Sequence, residues 1–288
     1  MADAFLSPGM DVPSPTVSAR LRELADYLAA PTAGRLTDEQ RALALGIARR
    51  FVADVAARLD PRIDAAAVWH DWLSGGVPGG EALAAACHAR AEEHRWRTQS
   101  ARRAAPSAAE QDAEPSASPD VDAAYLALRI ADRRRFDGAG HPALAIADAD
   151  PALFRTMLDA VAAWRREHIG GDTELDEAVR VATARRDGES GIDRAAAVYH
   201  RALGPMASDA AASAIAAHDW PALIALASAA AHCRYEAMAL ALLTAESAAL
   251  PSLLAPLRLR RAALAPLEAS LAMLPARAVG DEGAEPWR

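Results

Sequence analysis

The chain has 288 residues, 52% of them hydrophobic but only 5% aromatic, and a formal net charge of −8. That length holds one large or two modest domains with real cores. The acidic balance excludes a general nucleic-acid binder, whose affinity comes from many basic groups on phosphate. The apolar mass is Ala, Leu and Val, and Ala is the strongest helix former, so helix is favoured over strand.

Residues 1–15 contain Pro8, Pro13 and Pro15 with few apolar anchors and are expected to be mobile. An N-terminal helical unit, 16–99, follows. Val17, Leu21, Leu24 and Leu28, spaced by four, three and four, predict its first helix. Thr37-Asp-Glu-Gln40 reads as a capping box opening a second helix, with Leu43, Ile47, Phe51, Val55 and Leu59 as its apolar stripe. These two helices should form an antiparallel hairpin. A third helical segment near 63–73 runs into the glycine loop Ser74–Gly80. That loop lacks both the Gly-Lys-Ser/Thr ending and the preceding strand of a P-loop, and reads as an interhelix turn. Ser100–Asp120 is polar and dotted with Pro, which marks a linker.

The second unit spans 121–276. Val121, Tyr125 and Leu128 share one helix. Asp150-Pro151 supplies an N-cap and an N1 proline for another, with Phe154, Met157, Leu158 and Val161 turned inward. Leu175 and Val179 mark the next, and Ile192, Ala196, Tyr199 and Leu203 the one after. Asp219-Trp-Pro221 opens a further helix carrying Leu223 and Ile224, and Pro251, Pro256, Pro266 and Pro275 punctuate the last segments. The tail, 277–288, is expected to be mobile. The fold class is therefore all-α, with antiparallel helical hairpins stacked in a HEAT-like or irregular multi-helix array. His141-Pro-Ala-Leu-Ala-Ile-Ala147 and His218-Asp-Trp-Pro-Ala-Leu-Ile-Ala-Leu-Ala227 echo each other, too weakly to define a repeat length.

Local chemistry is sparse. Arg90, Arg95, Arg97, Arg102 and Arg103 cluster, as do Arg133, Arg134 and Arg135, and both read as a solvated helix face plus linker. Cys87 and Cys233 are too few for a disulfide framework. Cys87 and His94 stand about 10.5 Å apart along a helix, too far to grip one zinc ion; no metal or cofactor is expected. Trp69-His-Asp-Trp72 reads as core Trp with polar neighbours, and His168 as a partner of a helix C-terminus. His200 beside Arg201 is the candidate phosphoacceptor. Trp220 is either a wedge between helix pairs, its indole N–H on a backbone carbonyl, or an exposed partner anchor. No nucleophile elbow, His-Glu-x-x-His or dinucleotide fingerprint occurs. With no secretion signal and no stretch fit to span a bilayer, a cytoplasmic location is expected.

Leu36-Thr-Asp-Glu-Gln-Arg-Ala-Leu43, Arg49-Arg-Phe-Val-Ala-Asp-Val55, Ala216-Ala-His-Asp-Trp-Pro-Ala-Leu-Ile-Ala-Leu226 and Leu253-Leu-Ala-Pro-Leu-Arg-Leu259 resemble segments of a bacterial family, domain of unknown function 2336. These are packing patterns. The resemblance covers both ends of the chain better than the middle and implies a HEAT-like helical architecture with no functional residue attached.

Three functions remain open. The first is a non-enzymatic interaction or regulatory scaffold that presents a groove to another protein, with homo-oligomerisation also open. The second is a helical signalling protein with a phosphoacceptor or phosphotransfer role at His200. The third is an all-α enzyme whose site is dispersed, around Tyr125, His168 and Tyr199.

Overall fold

A computed structural model describes residues 37–103, 118–170 and 172–274. The predicted helix at Val17–Leu28, its hairpin partnership, the two ends expected to be mobile and most of the expected linker lie outside the described residues. Helix α1 (Asp38–Leu59) opens on the predicted capping box: Gln40 N–H donates to the Thr37 hydroxyl at 3.2 Å, and Thr37 N–H to the Gln40 side chain at 2.9 Å. Short α2 (Ala65–Gly75) is capped by Asp64 and leads through a turn with Gly76 and Gly79 at positive φ into long α3 (Gly80–Arg103). That helix runs on through Ser100, whose hydroxyl is buried 2.7 Å from that of Ser270. Residues 100–103, given to the linker by their composition, are helical instead, because one Ser in a polar run has an interior partner.

Next among the described residues come α4 (Pro119–Arg133), an irregular stretch with an isolated bridge between Phe136 and Pro142, then α5 (Pro151–His168), α6 (Asp172–Gly188) and α7 (Ile192–Leu203). Asp150 accepts from Ala152 N–H and Leu153 N–H, so the predicted cap starts α5. The chain continues with α8 (Ala207–Ala216), α9 (Trp220–Ala230), α10 (Tyr235–Thr244), α11 (Leu250–Leu253) and α12 (Ala265–Ala272), with 3₁₀ turns at Gly204–Met206, Ala255–Leu257 and Arg261–Leu264. The protein is all-α, an irregular multi-helix array. Residues 141–149 are not helical whereas 220–230 are, so the sequence echo is not a structural repeat.

Two apolar clusters make the core. The first combines α1, α2 and the start of α3 with Leu144, Ile146, Phe154, Leu158, Val161 and Leu175. The second surrounds α9, which is buried on every side from Trp220 to Ser228, as a central helix must be when it is apolar all round. Each cluster takes residues from before position 104 and after position 117, and α3 enters both, through Cys87 and Ala91 in one and Trp96 in the other.

Candidate functional site

Helix α4 presents the most distinctive surface. Pro119 fits its first turn, where a missing N–H costs nothing. Ala124, Leu128, Ala131 and Asp132 form its buried face, packed on α7. On the opposite face Ala123, Leu126, Ala127 and Ile130 are all exposed, Leu126 at 59% and Ile130 at 47%. Residues spaced by three and four share one side of a helix, so these four make a continuous apolar strip. Charged Asp122, Arg129 and Arg133 border it.

The helix is fixed in place by polar contacts on its other sides. Tyr125 donates its hydroxyl hydrogen to Asp219 at 2.6 Å, and Arg129 pairs with the same carboxylate at 3.3 Å. Asp219 also accepts from Ala222 N–H as the N-cap of α9. Burial first, then the bond to Asp219, raises the Tyr125 hydroxyl above its ordinary pKa, so it stays a donor. Near the other end, Arg97 of α3 grips Asp132 with two bonds of 2.7 and 2.8 Å.

Arg97 belongs to a buried ionic network. Glu93 accepts two bonds from Arg135, at 2.9 and 2.7 Å, and one from Arg97 at 3.2 Å, with Arg90 at 3.6 Å and the Tyr235 hydroxyl donating at 3.3 Å. Although burial opposes ionisation, the three guanidinium groups hold the Glu93 carboxyl well below the usual range. Burial lowers Arg90 to about 10, and its side chain also donates to the carbonyls of Ala143 and Arg135. Arg135 lies over the Tyr235 ring, 4.6 Å from its centroid. On the network's margin Glu236 is pushed up to about 7 by burial.

This network corrects the sequence reading of the arginine clusters. Arg90, Arg95 and Arg135 are interior side chains, with exposures of 0%, 6% and 1%, and only neighbours such as Arg102, Arg133 and Arg134 are solvated. The Arg90, Glu93, Arg97 spacing of three and four was the available signal, since it puts one carboxylate between two guanidinium groups on one helix face.

The three residues singled out from sequence do not form one site. Trp220 is 2% exposed and stacks on Trp96 at 4.9 Å and on His218 at 5.2 Å. That placement rules out the exposed-anchor reading of Trp220. Its indole N–H has no hydrogen-bond partner among the described residues, so the expected backbone carbonyl is not there; aromatic stacking holds the ring instead. His200 is half-buried, and burial, followed by the nearby His232, lowers its pKa. Arg201 is exposed.

Of the dispersed trio, Tyr125 and Tyr199 meet with ring centroids 5.5 Å apart. His168 instead lies with Trp164 and Asp71: it stacks on the indole at 4.3 Å, its Nδ1 is 2.9 Å from the Trp164 carbonyl, and its Nε2 is 3.5 Å from the Asp71 carboxylate. Trp164 donates its indole N–H to Asp71 at 2.7 Å. Asp71 therefore ties α2 to α5, a partnership invisible in the Trp69-His-Asp-Trp72 string. Among the described residues no group of three His, Cys, Asp or Glu side chains is arranged to hold a metal ion, and no helix is long and apolar enough to cross a membrane. Compared with known proteins, the chain matches no family model and shows no significant similarity to a curated protein or a solved structure.

Proposed function

We propose that the chain is a non-enzymatic interaction or regulatory module of the bacterial cytoplasm that binds another protein through the outer face of α4. One observation carries this reading: Leu126 and Ile130 stand exposed one turn apart on a helix whose inner side is secured by Leu128, Tyr125 and Asp132. A rigid helix with an apolar strip is suited to an amphipathic helix from a partner, which would use its own three-to-four spacing to fill the strip. Covering the two side chains, already about half-buried, would contribute roughly 1–1.5 kcal/mol each. The resemblance to domain of unknown function 2336, with its HEAT-like architecture, supports an interaction role in the same direction.

The test is capture from the native cell with the full chain and with a Leu126→Asp, Ile130→Asp variant, followed by mass spectrometry. A stoichiometric partner held by the parent and lost by the variant, at unchanged circular dichroism and melting temperature, is expected. Equal capture by both would overturn the assignment to α4. Light scattering on the purified chain identifies a second copy as the occupant if it is a dimer that the variant breaks. A phosphorylated His200 in the recovered protein would favour the phosphoacceptor role instead.

A further inference from the structure

Three arginines from separate elements line a cleft of about 530 Å³: Arg58 of α1, Arg134 just past the end of α4, and Arg185 of α6. Asp54 and Glu189 line it too, and Ile146 with neighbouring alanines supplies an apolar wall. Three guanidinium groups against two carboxylates leave the cleft formally positive in a chain of net charge −8. The volume lies in the range of small-molecule sites.

The donors are only partly used. Arg58 reaches Glu189 through Nη2 at 3.1 Å, while its Nη1 is buried with no hydrogen-bond partner among the described residues. Arg185 approaches the same carboxylate at 3.5 Å. The Arg134 side chain has no ion pair among the described residues, although its neighbour Arg135 has several. Glu189 thus demonstrates, with the chain's own carboxylate, that one oxyanion can engage Arg58 and Arg185 together. Guanidinium groups match carboxylate and phosphate oxygens in a planar, two-pronged geometry.

We propose that this cleft binds a small organic oxyanion, a carboxylate or a phosphate monoester, whose charged group lies between Arg58 and Arg134 and whose apolar part rests on Ile146. Glu189 serves as an internal competitor, holding the arginines in place while the cleft is empty.

Inorganic phosphate and succinate are the probes, titrated calorimetrically into the full chain at constant ionic strength, with chloride as the control. Dissociation constants of roughly 0.1–1 mM are expected. Arg134→Ala should weaken binding at least about tenfold, and Arg134→Lys less, because the charge stays but the fork is lost. Both should keep the unliganded melting temperature, since the side chain is exposed. Glu189→Gln should tighten binding about threefold to tenfold by removing the competitor. Stronger binding of phosphate marks a phosphate ester as the ligand, and stronger binding of succinate marks a carboxylate. Binding of both probes no better than chloride, or affinity indifferent to Arg134→Ala, would overturn the proposal.

Discussion

Arg134 and Arg135 are consecutive in the chain and belong to opposite environments. Arg135 turns inward with Arg90 and Arg97 onto Glu93, buried and bonded, while Arg134 turns outward with Arg58 and Arg185 into a cleft where donors remain uncommitted. Helix α4 ends at Arg133, and the following turn, in which Arg135 N–H bonds the Asp132 carbonyl, separates the two directions. The contrast shows that an arginine's contribution is set by what surrounds its guanidinium. Inside, removing a partner strands a charge; outside, water takes the partner's place.

The largest effect that would break this contrast is expected at Glu93. Glu93→Ala leaves Arg90, Arg97 and Arg135 without their shared carboxylate and should destabilise by about 3–5 kcal/mol in urea unfolding, the larger share from Arg90 and Arg135 because Arg97 keeps its two bonds to Asp132. A loss below about 1 kcal/mol would mean that water reaches the interior group. Glu236→Gln should act next and should depend on pH. The Glu236 carboxyl rises from an ordinary 4.5 to about 7 in the folded chain. A raised folded pKa means its contribution is fully present below pH 4.5 and lost as pH rises through 7. The variant should therefore match the parent near pH 4.5 and exceed it by up to about 3 kcal/mol at pH 8. His94, lowered to about 4 by burial, acts in the opposite sense, losing stability as pH falls from 6.5 towards 4. The two slopes offset each other in the parent between about pH 4.5 and 6.5 and separate in the variant. A pH-independent difference between the chains would break this account. The smallest change is expected at Glu189: Glu189→Gln, in a partly exposed pair, should alter stability by less than about 1 kcal/mol. A Glu189 effect as large as that at Glu93 would erase the distinction between interior and cleft.

What could be read from sequence follows the range over which each signal acts. The Thr37–Gln40 box, Asp150-Pro151 and Asp219-Trp-Pro221 settle their helix starts within four residues, and the structure has those caps. The inward stripe of α5 was equally plain, because apolar spacing alone specifies it. Arg90 and Arg97 read as solvated because a charged helix face looks the same whether it meets water or Arg135 and Tyr235, which lie 42 and 142 positions from Glu93. The α4 strip was missed for the converse reason. Leu126 and Ile130 look like core residues until Leu128 is seen to take the core face. The cleft needs four separated segments to meet, and no local pattern carries that.

The shared core of the first cluster has a consequence during synthesis. Ile47, Phe51 and Val55 of α1 emerge from the ribosome well before Phe154, Leu158 and Val161, which share their cluster. At about 5–20 residues per second, the 47 residues between α3 and α5 take some 2–9 s to make. For that interval the nascent chain carries an uncovered apolar stripe, and a chaperone that binds such stripes has its longest opportunity there. Slowing translation between residues 92 and 150 lengthens this exposure.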